Sequence, residues 1–510
     1  MTILRISISI VLTVCSLGAY AQFTYFNHLN GVQGDDIVQR PTNVQVIDDR
    51  IFTWGLQNDG NGTMYTAKEF DLNGQLINET FLEFEDAFLY IGASESFVKV
   101  QDEDALIFCQ TKVSTLGYQG ILIKFNDQLD SVWTRLYDFM GPDTYFFTLT
   151  QSDTGFVIAG DNQFAPGQQG TFVAFLDSTG NYIDHVQVQE PSDGYHRNWN
   201  ISVIPDGLVL SGNKGTAENT EGRIEFLDEN GNLEWFELAN DPSALQRSTM
   251  IHEATEDGQV LVAQSIAYEE WPYNSDPLLG YFKLSLKYVD FENETFTNIT
   301  EYFTEHEWQN GGVSEILEAP EHSWVMGGSC NVPDNIPDSA SVSPRSFIMN
   351  VDSMLDMQWY TELYYDTCVS CFNQLYDIAA TSDGGYVGVG RFQDVWASDS
   401  NEKAWMVKID ACGDVEWQGC ETVSGLWDIE QAGFESIHIW PNPVVDELNI
   451  ESRTNQEWDE IQITDILGRE VIRETIANST VSVAEVGTGI YVLTLYSKGL
   501  PIHSQKFMKE

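Results

Sequence analysis

The chain has 510 residues and sets 24 Lys plus Arg against 78 Asp plus Glu, a formal net charge of −54. Such a surface repels nucleic-acid phosphates and anionic membranes, which argues against both as partners. Aromatic residues at 12% and 40 glycines favour many short strands and turns over helices, and the length suits two to four domains or one large β unit.

The N-terminus reads as an export signal. Met1-Thr-Ile-Leu-Arg5 is a short basic start, Ile6 to Leu17 is an apolar run, and Ala19-Tyr20-Ala21 is an A-x-A cleavage site. Residues 1–21 are therefore expected to be removed, leaving Gln22 first. The run is too short to span a membrane, and nothing later approaches the roughly 18 apolar residues that a span needs. The expected mature protein is soluble and exported.

Residues 22–423 repeat. VQVIDDRIFTWG (44–55) matches VKVQDEDALIFCQ (98–110), TLTQSDTGFVIAG (148–160), SVIPDGLVLSG (202–212), EATEDGQVLVAQ (253–264), ILEAPEHSWVMGG (316–328) and AATSDGGYVGVG (379–390). Each copy is an apolar strand, an acidic or Gly turn, and a second strand ending in Gly or Gln, at spacings of 50 to 64 residues. A second hairpin follows each, as in GRIEFLDENGNLEWFEL (222–238), with Trp133, Trp235, Trp359 and Trp417 at matching places. Seven units of strands a to d predict a seven-bladed β-propeller, with a β-sandwich array as the alternative. FTYFNHLNG (23–31) resembles a fourth strand and is expected to complete the last blade.

The glycines of TSDGGYVGVGR (381–391) read as G-x-x-G-x-G, yet no helical pattern follows Arg391, so nucleotide binding is excluded. Asp383-Gly384-Gly385 is assigned to an a–b turn, and Gly388 and Gly390 to close packing between blades. The a–b and c–d turns are short. The b–c connections at 161–170, 213–221, 265–279, 329–345 and 391–403 are long, which makes the b–c/d–a face the candidate interaction surface. Trp271, Tyr273 and Trp396 fall on it as candidate binding residues for a sugar or a protein partner.

No catalytic signature is present: the chain lacks G-x-S-x-G, H-E-x-x-H and a P-loop, and its 8 His are scattered. No catalytic or metal-ligating residue is assigned and no cofactor is expected, though the acidity leaves room for a structural Ca²⁺. Asn58-Asp59-Gly60-Asn61-Gly62 lacks the distal Glu of a Ca²⁺ loop. An exported chain can hold disulfides. The expected pairs lie among Cys330, Cys368, Cys371 and Cys420, at one end of the blades. Cys109 is expected as a buried thiol, and Cys412 and Cys420 are separated by the length of a straight strand.

After a linker at 424–436, residues 437–510 alternate as strands of a small β-sandwich. Pro441-Asn442-Pro443, Asp465-Ile-Leu-Gly468-Arg469, Gly487-Thr-Gly489-Ile-Tyr491 and Lys506-Phe-Met-Lys509 occur in order, and this region resembles the type A C-terminal sorting domain of the type IX secretion system of Bacteroidetes. The resemblance implies a partnership with that machinery and a secreted or surface-attached fate. The upstream repeats resemble D-G-G-Y-x-x-x-G propeller repeats, a looser likeness that implies no activity. The expectation is thus a propeller acting as a glycan- or protein-binding module, against two alternatives: an extracellular hydrolase with its site in the axial pocket, or a structural surface component.

Overall fold

The computed structural model describes most residues of 26–413 and 437–509; residues 1–25, 30–37, 271–279, 395–401 and 414–436, and shorter stretches such as 366–370, lie outside the description. Among the described residues every long element is a β-strand, and the one helical piece is the 3₁₀ turn Pro320–His322. The chain divides into two compact units, Met1–Cys420 and Glu421–Glu510.

Among the described residues the first unit carries seven antiparallel blades in sequence order, as the repeat predicts, the fifth and sixth sharing one eight-stranded sheet. Blade 1 runs Val38–Ile47, Arg50–Asn58, Thr63–Asp71 and Leu76–Leu82, and the later blades follow the same meander. The inner strands touch one another in a cycle. Val38–Ile47 contacts Phe97–Lys99, and contacts pass on through Asp143–Ser152, Tyr195–Ile204, Ser248–Ala254, Trp308–Ala319 and Phe372–Ala380 back to Val38–Ile47. The ring is closed. Its last sheet takes its outer strand from the N-terminus: Phe26–Leu29 pairs with Lys403–Ile409 in the register Phe26↔Lys408 to Leu29↔Trp405. The outer position read for the strand of Trp417 is thereby filled by the N-terminal segment, and residue 417 lies outside the described residues. Blades 5 and 6 are also joined, through Tyr281↔Gln309 and Phe282↔Trp308.

Apolar side chains interdigitate between neighbouring sheets. Ile107 and Leu122 of blade 2 pack with Phe146, Ile158 and Phe172 of blade 3, all essentially buried. Each such side chain contributes about 1.5–3 kcal/mol.

A recurring bulge explains the glycine that ends most repeats. In five inner strands one extra residue interrupts the ladder: Thr42, Phe147, Trp199, Ser314 and Tyr376. The residue before each bulge pairs with Gly55, Gly160, Gly212, Gly328 or Gly390. The bulge tilts a carbonyl toward strand b, so a β-carbon at Gly55, Gly160 or Gly390 would stand 2.1, 2.0 or 1.9 Å from the oxygen of Arg40, Tyr145 or Gln374. Blade 5, whose inner pair runs without a shift, has Gln264 at this place. Gly390 therefore accommodates its own blade's bulge rather than a neighbouring blade, which corrects the sequence reading. Gly388 likewise faces Leu375 of its own sheet, whereas Gly327 does meet Ile378 of the next blade.

Polar side chains stitch the blades together. Asp377 accepts the N–H of Val44 at 2.7 Å across the last and first blades. Ser96 Oγ bonds Asn43, Thr111 Oγ1 receives the N–H of Phe146, and Ser329 Oγ receives that of Leu375. On the rim, outer-strand side chains reach the next blade's c–d turn: Asn78 donates to Gln128 O, Tyr137 to Gly180 O and Thr361 to Gly413 O, at 2.7, 2.6 and 2.7 Å. Those turns are shaped by a leading acid or amide, as where Asp177 accepts the N–H groups of Thr179 and Asn181.

Cys371 and Cys412 each take part in a disulfide, which adds Cys412 to the set expected from the sequence, while Cys109 and Cys330 are free and buried. Cys330 therefore leaves the set of expected disulfide cysteines; it packs inside blade 6 with Trp324, Met326 and Phe347. Cys368 and Cys420 lie outside the described residues.

The second unit is a small β module of two sheets. Ile437–Trp440, Glu447–Ser452 and Thr480–Ser482 form one; Glu460–Asp465, Glu470–Thr475, Gly489–Ser497 and Leu500–Lys509 form the other. Leu448, Ile450, Ile461, Ile463, Leu493 and Leu495 bury their side chains in its core.

Candidate functional site

Trp271, Tyr273 and Trp396 lie outside the described residues, so the candidate face is built from what surrounds the entry to strand a and the exit of strand b. The junction of blades 7 and 1 is the richest part of it. Arg40 enters from the first inner strand, Phe372, Gln374 and Tyr376 from the last inner strand, Arg391 from the end of its partner strand, and Glu402 from just before Lys403–Ile409.

Glu402 is shared by two cations. Arg40 donates from Nη2 to Glu402 Oε1 at 2.7 Å and from Nε to Oε2, and Arg391 donates from Nη1 to Oε1. Arg391 Nε also donates to Gln374 Oε1 at 3.0 Å, and the Tyr376 hydroxyl reaches the same oxygen at 3.3 Å. The Arg391 guanidinium stands 5.7 Å from the centre of the Phe372 ring, which is 38% exposed. Tyr364 is exposed nearby, its carbonyl held by Asn27 of the closing strand at 3.0 Å. Tyr365 packs edge-on against Phe392 with ring centres 5.0 Å apart.

Two bulges aim this cluster. The extra residue in the last inner strand is Tyr376 itself, and that in the first is Thr42, two positions after Arg40. The electrostatics follow from the pairing. Burial alone would raise Glu402, but the hydrogen bonds and charges of Arg40 and Arg391 hold it below its ordinary value. The hydrogen bond to Glu402 raises Arg40 in turn. Burial raises the Tyr376 phenol, so it stays a neutral donor at pH 7. Two guanidinium charges face one carboxylate, a local excess of positive charge on a strongly acidic chain. Sequence reading passed over the cluster because Arg40 and Glu402 stand 362 positions apart.

Beneath Arg40 a cleft between the two blades, lined by Leu56, Phe70, Ala404 and Trp405 among others, has room for little more than one or two waters. A ligand of sugar size would rest on the surface.

Acids on the inner strands have other occupations. Asp377 accepts two backbone N–H groups, from Val44 and Ile378, each at 2.7 Å, and burial pushes its carboxyl well up. Glu253 is pushed up to about 8 by burial, opposed by the Ala254 N–H and reinforced by Glu318. No group of three or more His, Cys, Asp or Glu among the described residues is arranged to hold a metal.

In the C-terminal module Tyr491 donates to Gly487 O at 2.8 Å and its ring covers Gly489. Lys509 pairs with Gly489 and bridges Val444, and Lys506 pairs with Val492. Pro441, Asn442, Pro443 and Gly468 lie outside the described residues.

No curated protein matches the chain in sequence. Among solved structures it is similar to a protein of unknown function from Bacteroides caccae, at 10% identity over 60% of this chain and 93% of that one, TM-score 0.34. It is also similar to the polysaccharide lyase Uly1, at 8% identity over 78% and 94%, TM-score 0.42. A third likeness is to the plexin A4 extracellular region, at 8% identity over 96% and 67%, TM-score 0.43. Residues 438–510 match the family described as "Secretion system C-terminal sorting domain". The C-terminal module is therefore a type IX sorting domain, and a chain that bears it is addressed to the cell surface or the extracellular space.

Proposed function

We propose that the propeller is an extracellular binding or adhesion module for a glycan or protein, exported behind a signal peptide of residues 1–21 and delivered by residues 437–510. The observation that carries this reading is the junction of blades 7 and 1. There an exposed aromatic ring lies beside a guanidinium pair on the b–c/d–a face, whose link in blade 7 is nine residues long. The strands ending at Ala165 and Gly215 shorten the links of blades 3 and 4 to two and four residues, against the sequence reading. Exposed aromatics beside fixed polar groups are the composition of recognition surfaces. The engagement of Asp377 by two backbone N–H groups supports a structural role for that acid over a catalytic one.

A glycan array combined with a broad hydrolase screen on the full chain tests the reading. Retention of a glycan or protein without turnover is the expected result. Turnover without stable binding would instead favour an extracellular hydrolase, and neither activity would favour a structural surface component.

A further inference from the structure

The junction of Arg40, Arg391 and Phe372 has a chemistry narrower than "binding surface". A guanidinium offers five N–H donors. Arg40 directs two toward Glu402, and Arg391 directs one to Glu402 and one to Gln374. With two positive charges against one negative, the cluster keeps both donor capacity and charge for a second anion. Arg40 holds it within reach of solvent, its side chain being 36% exposed. Glu402 lies across both guanidinium groups and shows that this spacing suits a carboxylate. Directly beside it Phe372 presents a flat apolar ring, while the cleft below is too small for a sugar.

We propose that this junction binds an anionic, uronate-bearing polysaccharide, with a sugar carboxylate on Arg391 and Arg40 and a pyranose face on Phe372. The inference rests on the binding-module reading and names its ligand class. The rigid guanidinium fork pairs bidentately with carboxylates, and the Phe372 ring, 5.7 Å from the Arg391 guanidinium, stands close enough to take the attached sugar ring. The overall negative charge does not forbid this, because salt near 0.15 M screens exposed charges beyond about 8 Å while contact pairs persist.

The test uses the full chain, with polygalacturonate and its fully methyl-esterified form as ligands that share a backbone and differ in whether each carboxylate is free or capped as a neutral ester. Calorimetry or a retention gel should show binding to the free acid, its loss on esterification, and weakening as salt rises. Arg391→Gln should weaken binding about tenfold or more. Phe372→Ala should weaken it about five- to tenfold, and because that ring is exposed the variant keeps the test open if an arginine variant fails to fold. Equal binding of the esterified polymer, still sensitive to Phe372→Ala, would overturn the anionic assignment and leave the binding-module reading standing. Absence of binding to both polymers would overturn the assignment too, and a blank glycan and protein screen would then remove the underlying reading as well.

Discussion

Gly390 lies directly under the carbonyl oxygen of Gln374, and a β-carbon there would stand 1.9 Å from that oxygen. The contact is imposed by the bulge at Tyr376. Gly390→Ala must move the backbone that aims Tyr376 and is expected to cost about 2–3 kcal/mol, read from the urea midpoint. Gly384, at φ +93° with open space around it, should cost only about 1 kcal/mol on the same substitution. Equal costs would refute the bulge account.

Lys408 is wholly buried and donates to Asp383 Oδ2 at 2.5 Å and to Leu72 O at 3.3 Å, tying the turn of TSDGG to the first blade. Asp383→Asn removes the carboxylate that faces a buried ammonium and is expected to cost about 3–5 kcal/mol. Lys408→Met combined with Asp383→Asn should recover much of that loss. A double variant as unstable as the sum of the singles would show that the pair is not coupled.

Two sets of acids should give stability opposite dependences on pH. Asp177 is drawn down to about 2 by the hydroxyl of Thr179, then by the N–H and side chain of Asn181. The side chain of Asn232 leads the lowering of Asp228. Both sit below an unfolded value near 4, so their contribution is complete above it and lost as pH falls toward 2. Glu253 sits at about 8 against an unfolded value near 4.3, so its contribution is complete below about 4 and is lost progressively as pH rises to about 8. Melting temperatures of the parent should decline between about pH 4 and 8 through this group, and those of Glu253→Gln should lose that part of the decline; an unchanged decline would assign it elsewhere.

Asp377→Ala leaves the Val44 N–H unpaired between two blades and is expected to cost about 1–3 kcal/mol. Asp377→Asn keeps one acceptor and should cost less. Hydrogen exchange at Val44 reports the difference directly, and full protection of that amide in the alanine variant would contradict the assignment.

Removal of residues 437–510 should leave the protein in the periplasm, detected by fractionation. Normal delivery to the surface after that deletion would refute the role given to the sorting domain.

The repeat and its seven copies were legible because turn chemistry is local: Thr381 to Gly385 writes one a–b turn in five letters, and Asp228 to Asn232 one c–d turn. The closing role of Phe26–Leu29 was legible as well, since its alternation matched an outer strand. The bulges were not, because an extra residue at Thr42 or Tyr376 changes register without changing composition. Their trace was the glycine opposite, together with Gln264 where the bulge is missing. The Arg40–Glu402 pair was hidden for another reason: it forms only when the ring closes, and no local pattern links positions so far apart.

The pairing of Phe26–Leu29 with Lys403–Ile409 gives the propeller the logic of a buckled belt. A piece of the propeller that lacks either end cannot complete its last blade, because the first strand waits for a partner nearly the whole propeller away. Contacts of such separation form late and slowly. Until then the strand Lys403–Ile409 has an open edge, the kind of surface that pairs with stray chains. The arginine junction stands where the buckle fastens, so its geometry, and any ligand affinity that depends on it, arises in the last step of folding.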